Sequence, residues 1–413
     1  MPERQAPSVT VRFVPVLGGV ELEFSSPHTT LRPTFNLSDT SRIAATRGVL
    51  RDGLRELKRL VVKHSDDERV RTEGLAEIAA QMGTTGRLMI STLCPPNARL
   101  LNQLQDFWRR AIRWNVPGRP VPVVEYVGHP EYVIPLEHMP FLDLSGCDRP
   151  TADPIRFIEQ CRAFVGFSCV VRRKLLLDSP IPQCDELQPS EQGRIEMRFL
   201  RHSELKGATA EYVWLMSDGR DKVDVLGPFP AEGEKAADIA AQVFDPRWLP
   251  SGGRRAVPEQ IQHFSCHCDT TTKDPLDYAL QLRGATDVRV RVRDFKDHFT
   301  RLAGEGRSDM AMPMVVLNAC GTSAADPVTA TSFPRLFLEN ENRAVIGTEV
   351  AIPDRMAAAF SRKFYELLLL KGEPLGVAAY EAHDHMLTES RNPLGLAYSV
   401  YGNTELRIVN GVV

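Results

Sequence analysis

MPMVVLNAC, residues Met312–Cys320, decides the architecture. After Pro313 the run is apolar but for one asparagine, with no alternation of polar and apolar side chains. A strand wetted on one face alternates; one covered on both faces does not. The run therefore reads as an interior strand of a parallel sheet. AVIGTEVAI (Ala344–Ile352) reads as a second such strand and IQHFSC (Ile261–Cys266) as a third. Helical patterns lie between and after them. One surrounds RDFKDHFTRL (Arg293–Leu302). Another is opened by Asp354 as N-cap, carries Met356, Phe360, Phe364 and Leu368 on one side, and is closed by Lys371-Gly372. A third covers PLGVAAYEAHDHML (Pro374–Leu387), and AYSVYGNTELRIV (Ala397–Val409) ends in two strand-like pieces around Gly402-Asn403. Strand and helix in alternation predict an α/β fold, a mainly parallel sheet flanked by helices.

The upstream sequence reads as a β/α lead-in. VTVRFVPVLGGVELEF (Val9–Phe24) predicts a hairpin turning at Gly18 and Gly19, and Ser41–Lys63 predicts a helix with Leu50, Leu54, Leu57 and Val61 on one face. Ser65 with Glu68 reads as a capping box for a helix stopping near Gly83. RLMIST (Arg87–Thr92), VPVVEYV (Val121–Val127) and FVGFSCVV (Phe164–Val171) are strand candidates. Leu175–Arg194 reads as an exposed connection, and IEMRFLRHS (Ile195–Ser203) with AEYVWLMS (Ala210–Ser217) as an antiparallel pair. A helix over Glu232–Phe244 and a Gly/Arg loop (Pro250–Pro258) lead into IQHFSC. The expected divisions are 1–85, a hairpin with helices for regulation or docking; 86–194, the first part of the main fold; and 195–413, the core that carries the chemistry.

Composition narrows the function. The 413 residues are 43% hydrophobic with a net charge of −3 and no long basic run, so nucleic acid is not an expected partner. The N-terminus lacks the pattern of a signal peptide, the longest aliphatic run (ELLLLK) is too short to cross a bilayer, and eight cysteines are sparse. A cytoplasmic protein without membrane partners is expected. No period of solenoid type recurs.

Two of the strands end in reactive residues, His267 and Cys320, about 50 positions apart, and caspases space their histidine and cysteine similarly. Ligands gather beyond the carboxyl ends of parallel strands. A thiol beside an imidazole becomes a thiolate nucleophile, and the imidazole can protonate a leaving amine. Backbone N–H groups of Cys268 and Cys320 would hold the oxyanion. Zinc ligation by His263, Cys266, His267 and Cys268 is disfavoured, because one strand points the cysteines to one face and the histidines to the other. No metal and no cofactor is expected. His263 reads as a satisfied core residue, and His383 and His385 as solvated.

The ordered segments HFSCHC, VVLNACGTS, AVIGTEVAIPD, KFYELLLLKGEPLGVAAYEA and YSVYGN resemble the CHAT domain, a caspase-like cysteine peptidase family of clan CD related to separase and caspases. PLEHMPFLDL (Pro135–Leu144) resembles its Pro-Trp-Glu-Leu-Leu signature, with Leu136 in place of Trp. The resemblance implies a dyad with His267 as general acid–base and Cys320 as nucleophile. It implies an S1 pocket that includes Glu349 and Asp354, whose acidity would favour a basic P1 residue. A plainer role for Asp354 is its N-cap. Relatives carry Gly after the histidine; here Cys268 offers the N–H without glycine's conformational freedom. The resemblance also implies a protein substrate, of types that include gasdermin-like pore formers and dedicated partners, in bacterial defence or programmed cell death. A separate activating protein or the N-terminal region would exert control. Asp178–Gly193 and the loop after Cys320 are two places for self-processing. The competing readings are a non-catalytic caspase-like scaffold and a thiol redox sensor built on Cys266, Cys268 and Cys320.

Overall fold

The computed structural model describes residues 5–17, 19–37, 41–94, 97–112, 120–129, 132–134, 136–140, 151–177, 185–245, 258–270, 274–284, 287–303, 312–319 and 333–409. The chain divides into two compact units. Met1–Leu176 and Ala379–Ala397 form the first, and Leu177–Ala378 and Tyr398–Val413 the second.

In the first unit β1 (Val9–Val16) and β2 (Gly19–Ser25) make the expected hairpin, and β3 (Thr34–Leu37) extends it. α1 (Ser41–His64) buries Leu50, Leu54, Leu57 and Val61, the stripe read from the sequence. The expected capping box does not form. Ser65–Asp66 (β4) and Arg69–Val70 (β5) pair across a turn in which Asp67 takes a φ of 55°. α2 starts later, at Leu75, and runs to Leu93, through Gly83 and through the RLMIST segment read as a strand. Both corrections follow from close packing. A Cβ at Gly53 of α1 would collide with Thr85 of α2, so small residues here mark helix contact and not helix ends. α3 (Ala98–Ala111), capped by Asn97, buries Phe107 and Trp108 against Phe24. β6 (Val123–Gly128), α4 (Pro154–Cys161) and β7 (Val170–Leu175) follow, and the sheet order is β3-β2-β1-β6-β7. Only the end of FVGFSCVV is strand, since Val165–Phe167 is a 3₁₀ turn. In the PLEHMPFLDL segment, Glu137 is buried and takes a two-pronged ion pair from fully buried Arg173, with Nη1 to Oε1 at 2.6 Å.

In the second unit β8 (Glu186–Leu187) lies inside the expected exposed connection, yet Leu187 is fully buried. Residues 178–184 of that stretch lie outside the described residues, as does the loop after Cys320. β9 (Ile195–Arg201), α5 (Lys206–Ser217), β10 (Val223–Phe229), α6 (Ala236–Phe244) and β11 (Ile261–Asp269) come next. The predicted antiparallel partner of β9 is therefore helix α5, and the strand that pairs with β9 on that side is parallel β10. α5 buries Gly207, Ala208, Glu211 and Leu215, a helical spacing. Its exposed Val213 and Met216 gave the segment its strand-like composition. A hairpin absent from the sequence reading, β12 (Ala279–Arg283) and β13 (Asp287–Arg291), runs back along the end of β11 before α7 (Val292–Ala303). β14 (Met314–Ala319), α8 (Phe333–Glu339), β15 (Ala344–Thr348) and α9 (Asp354–Tyr365) follow. α9 passes into a π-helical turn that ends at Gly372 with a φ of 70°. α10 (Leu375–Ser390) belongs from Ala379 onward to the first unit, and β16 (Tyr398–Gly402) and β17 (Arg407–Ile408) complete the second.

The main sheet runs β10-β9-β11-β14-β15-β16. All neighbouring pairs are parallel except β15–β16. Every residue of β14 and β15 is buried, as uninterrupted apolar runs require. The fold is thus the α/β architecture expected.

One buried polar cluster lies on the α5 side of this sheet. Glu211 accepts hydrogen bonds from Ser265 Oγ (3.0 Å) and Asn318 Nδ2 (2.9 Å), and pairs with His263 Nε2 at 2.7 Å. A carboxylate can only accept, so Nε2 carries the proton. His263 Nδ1 meets the Tyr365 hydroxyl at 2.7 Å, and Phe199 stacks on its ring. Burial, with the Glu211 charge adding to it, raises the Tyr365 pKa, so the hydroxyl keeps its proton. Tyr398 O–H completes the chain by donating to Asn318 Oδ1 at 2.6 Å. His263 is the satisfied core histidine expected from the sequence.

His383 is not solvated as expected: it is buried, with its pKa pushed down to about 4 by desolvation. His138 is buried too and pushed down to about 3, by desolvation and then by Arg173 and His383. The unfolded chain protonates histidines from about pH 6.5 downward, while the fold resists until near pH 4. Stability therefore falls as pH drops through that window.

Urea unfolding between pH 7 and 4.5 should show this decline, by a few kcal/mol at the acid end, and His383→Phe should flatten it. An unchanged slope in the variant would refute the assignment. Glu211→Ala leaves three buried partners without their acceptor and should cost about 3–5 kcal/mol, read as a large fall in melting temperature. Glu211→Gln, which keeps the shape and one acceptor, should cost less.

Candidate active site

β11 and β14 lie side by side and parallel, with Cys266 opposite Ala319. The next residues of the two strands in sequence are His267 and Cys320. Cys320 lies outside the described residues, so the geometry rests on the strand ends that precede it. The end of β14 is held from the neighbouring strand, where Thr348 Oγ1 donates to the Ala319 carbonyl oxygen. On its other side β11 lies along β9, which ends at Arg201 opposite Ser265.

His267 is half-buried and opens into a hollow with Cys266, Ser265, Asn318, Ala319 and Asp354 among its lining residues. Ser265 and Asn318 are themselves hydrogen-bonded to Glu211, so the floor of the hollow is the top of the buried cluster. A floor fixed in this way keeps the strand tips from shifting independently. An imidazole at its rim can pass a proton to or from a group bound there.

Asp354 does not cap its own helix. Pro353 occupies the N-cap position of α9, and Asp354 Oδ2 instead accepts the backbone N–H of Gly207 at 2.7 Å. That N–H is in the first turn of α5, where a helix has no internal acceptor for it, so the carboxylate caps a neighbour. The approach requires glycine: a Cβ at position 207 would collide with the Asp354 carbonyl. Glu349 follows the end of β15 and is not among the residues lining the hollow; its Oε1 accepts from Tyr401 O–H at 3.2 Å.

Cys268 lies within β11, paired opposite Leu280 of β12. Its φ is negative, since among the described non-glycine residues only Asp67, Glu341 and Arg391 are positive. The position does not ask for glycine's special angles. Cys266 is buried, Cys268 half-buried, and neither forms a disulfide. Among the described residues no group of three His, Cys, Asp or Glu is placed to hold a metal ion, and no helix is long and apolar enough to cross a membrane.

Sequence reading did not find Glu211 or His202. Glu211 was hidden by the strand reading of its segment, although its helical spacing from Gly207, Ala208 and Leu215 was a usable signal. His202 follows β9 directly, and nothing in its local sequence distinguishes it.

A probable protease of Vitiosangium sp. (strain GDMCC 1.1324) is 31% identical over 157 residues, which is 37% of this chain; the chain spans about a fifth (20%) of that relative's length. Among solved structures, Saccharomyces cerevisiae separase in its complex with securin aligns over 97% of this chain and 30% of its own, at 12% identity and a TM-score of 0.44. A secreted C11 cysteine protease from Bacteroides thetaiotaomicron aligns over 42% of this chain and 54% of its own, at 12% identity and a TM-score of 0.28. The match to a family description covers residues 188–399, more than half the chain and all of the sheet from β9 through β15: this protein belongs to the CHAT domain family.

Proposed function

We propose that the chain is a cysteine endopeptidase in which Cys320 is the nucleophile and His267 the general acid–base. The observation that carries this reading is the register of β11 and β14, which sets Cys266 opposite Ala319 immediately before the two reactive residues. Family membership and the protease-named relative support it.

The reaction follows from the groups. The Cys320 thiolate attacks the scissile carbonyl carbon and forms a C–S bond. The oxyanion is held by the N–H groups of Cys268 and Cys320, each donor worth roughly 3 kcal/mol. His267 gives its proton to the leaving amine as the C–N bond breaks. The imidazole then takes a proton from water, which attacks the thioester and releases the acid and the thiol. Glu349 and Asp354 would favour a basic P1 side chain, and of the two Asp354 is the one in the hollow with His267. The resemblance supports a dedicated protein substrate, a pore former or a specific partner, in a regulated bacterial defence or cell-death response in the cytoplasm. A separate protein would release the activity.

A thiol alkylator applied at several pH values should modify one cysteine fast, Cys320, and His267→Ala should slow that reaction roughly 10-fold or more at neutral pH. A slow Cys320 in wild type would favour a scaffold, and a reducible bond among Cys266, Cys268 and Cys320 a redox sensor. Peptides with Arg, Asp and Leu at P1 should rank Arg first. Asp354→Asn should lower the Arg preference by about tenfold, and Glu349→Gln should lower it less. Equal turnover of Arg and Leu peptides by wild type would reject the acidic pocket.

A further inference from the structure

The His267 ring has no hydrogen-bonding side chain among the described residues. In a triad a third group fixes the imidazole's orientation. Here the neighbour is another imidazole. His202 lies edge-on to His267, with ring centroids 4.8 Å apart and planes at 67°. Edge-to-face contact is a preferred, orientation-dependent arrangement for aromatic rings.

The backbone makes this contact a built one. His202 N–H donates to the Ser265 carbonyl at 2.9 Å, which ties the end of β9 to β11 two residues before His267. Ser203 N–H donates to the Arg283 carbonyl at 2.7 Å, so the same turn is tied to β12, whose Gln281 pairs with His267. The backbone that carries the His202 ring is thus tied to both β11 and β12. The ring Nδ1 is buried and has no hydrogen-bond partner among the described residues, so polar satisfaction does not account for the ring's placement.

We infer that His202 is a positioning residue for His267, fixing the plane of the imidazole through the edge-on ring contact. The inference rests on the reading of His267 as the general acid–base. Two adjacent imidazoles resist carrying two protons. Burial first, and the His267 charge second, lower the His202 pKa; Glu204 and Asp287 raise it and Arg283 lowers it further. His202 is accordingly biased toward its uncharged form beside His267.

The test uses His202→Ala, His202→Phe and His267→Ala in the full chain, with thermal melting as the folding check. His202→Ala should lower kcat roughly 10-fold with KM unchanged, and His202→Phe, which keeps the ring edge, should recover most of the loss. Histidine ring NMR supplies a reading that needs no turnover. The His267 resonances should be single and sharp in wild type and His202→Phe, and broadened or split in His202→Ala. The His202 titration midpoint should rise in His267→Ala. Unchanged His267 resonances in His202→Ala overturn the inference, as does a change confined to KM or an equal loss in the Phe and Ala variants. Failure of the dyad reading is separate: it appears as Cys320 alkylation indifferent to His267→Ala, while the ring resonances still decide the role of His202.

Discussion

A carboxylate buried beneath the carboxyl ends of the central strands is the constraint on which the second unit is organised. Glu211 comes from a helix, yet its three partners come from two adjacent strands, His263 and Ser265 on β11 and Asn318 on β14. Burying a charge is costly unless every oxygen finds a donor. The arrangement meets that demand, and by doing so it fixes the register of two strands against one helix. Apolar packing alone would not select one register so sharply, since hydrophobic contact is non-directional and a small slip loses little of it. A slip that breaks hydrogen bonds to a buried carboxylate loses much more. The first unit has its own buried pair, Arg173 with Glu137, which pins the segment carrying the signature-like sequence to the edge strand of its sheet.

The arrangement of the strand tips is a consequence of that register. Parallel strands bring their carboxyl ends together at one edge: His202 follows β9, His267 lies near the end of β11, and the described part of β14 ends at Ala319, opposite Cys266. The polar cluster sits one layer below, so the hollow has a floor of side chains already committed to one another. Side chains committed to one another in this way hold a fixed arrangement of dipoles under the hollow, the preorganisation that the proposed peptidase chemistry would call on. The hairpin β12–β13 adds a wall along the end of β11 and anchors the turn that carries His202.

The interior strands, and the adjacency of the two that precede His267 and Cys320, were legible in the sequence because buried parallel strands leave an unbroken apolar signature, and β14 and β15 have it. His263 was legible as a core residue from its place within such a strand. What misled was surface composition. α5 shows Tyr, Val and Trp to the reader while its buried face is Gly207, Ala208, Glu211 and Leu215, small or charged residues that carry little periodic weight. Gly83 resembled a helix stop, yet lies inside α2. Asp354 looked like a local cap because capping is usually local; its true partner, Gly207, is distant in sequence, and no window of neighbouring residues contains it. His383 sits two positions from His385 on α10 and differs from it only in which side of the helix it occupies.

The bond between Asp354 and Gly207 joins two properties that proteins often keep separate. The same carboxylate that faces the hollow also closes the start of a helix whose Glu211 anchors the sheet. A mutation that altered the charge at position 354 would loosen that helix at its first turn, and nothing larger than glycine at position 207 leaves room for the approach. The apolar lining side chains Leu205 and Ile352 could be exchanged without removing a hydrogen-bonding group of this kind. The shape of the hollow is thus open to change at its apolar walls, while its acid is tied to the stability of the helix it closes.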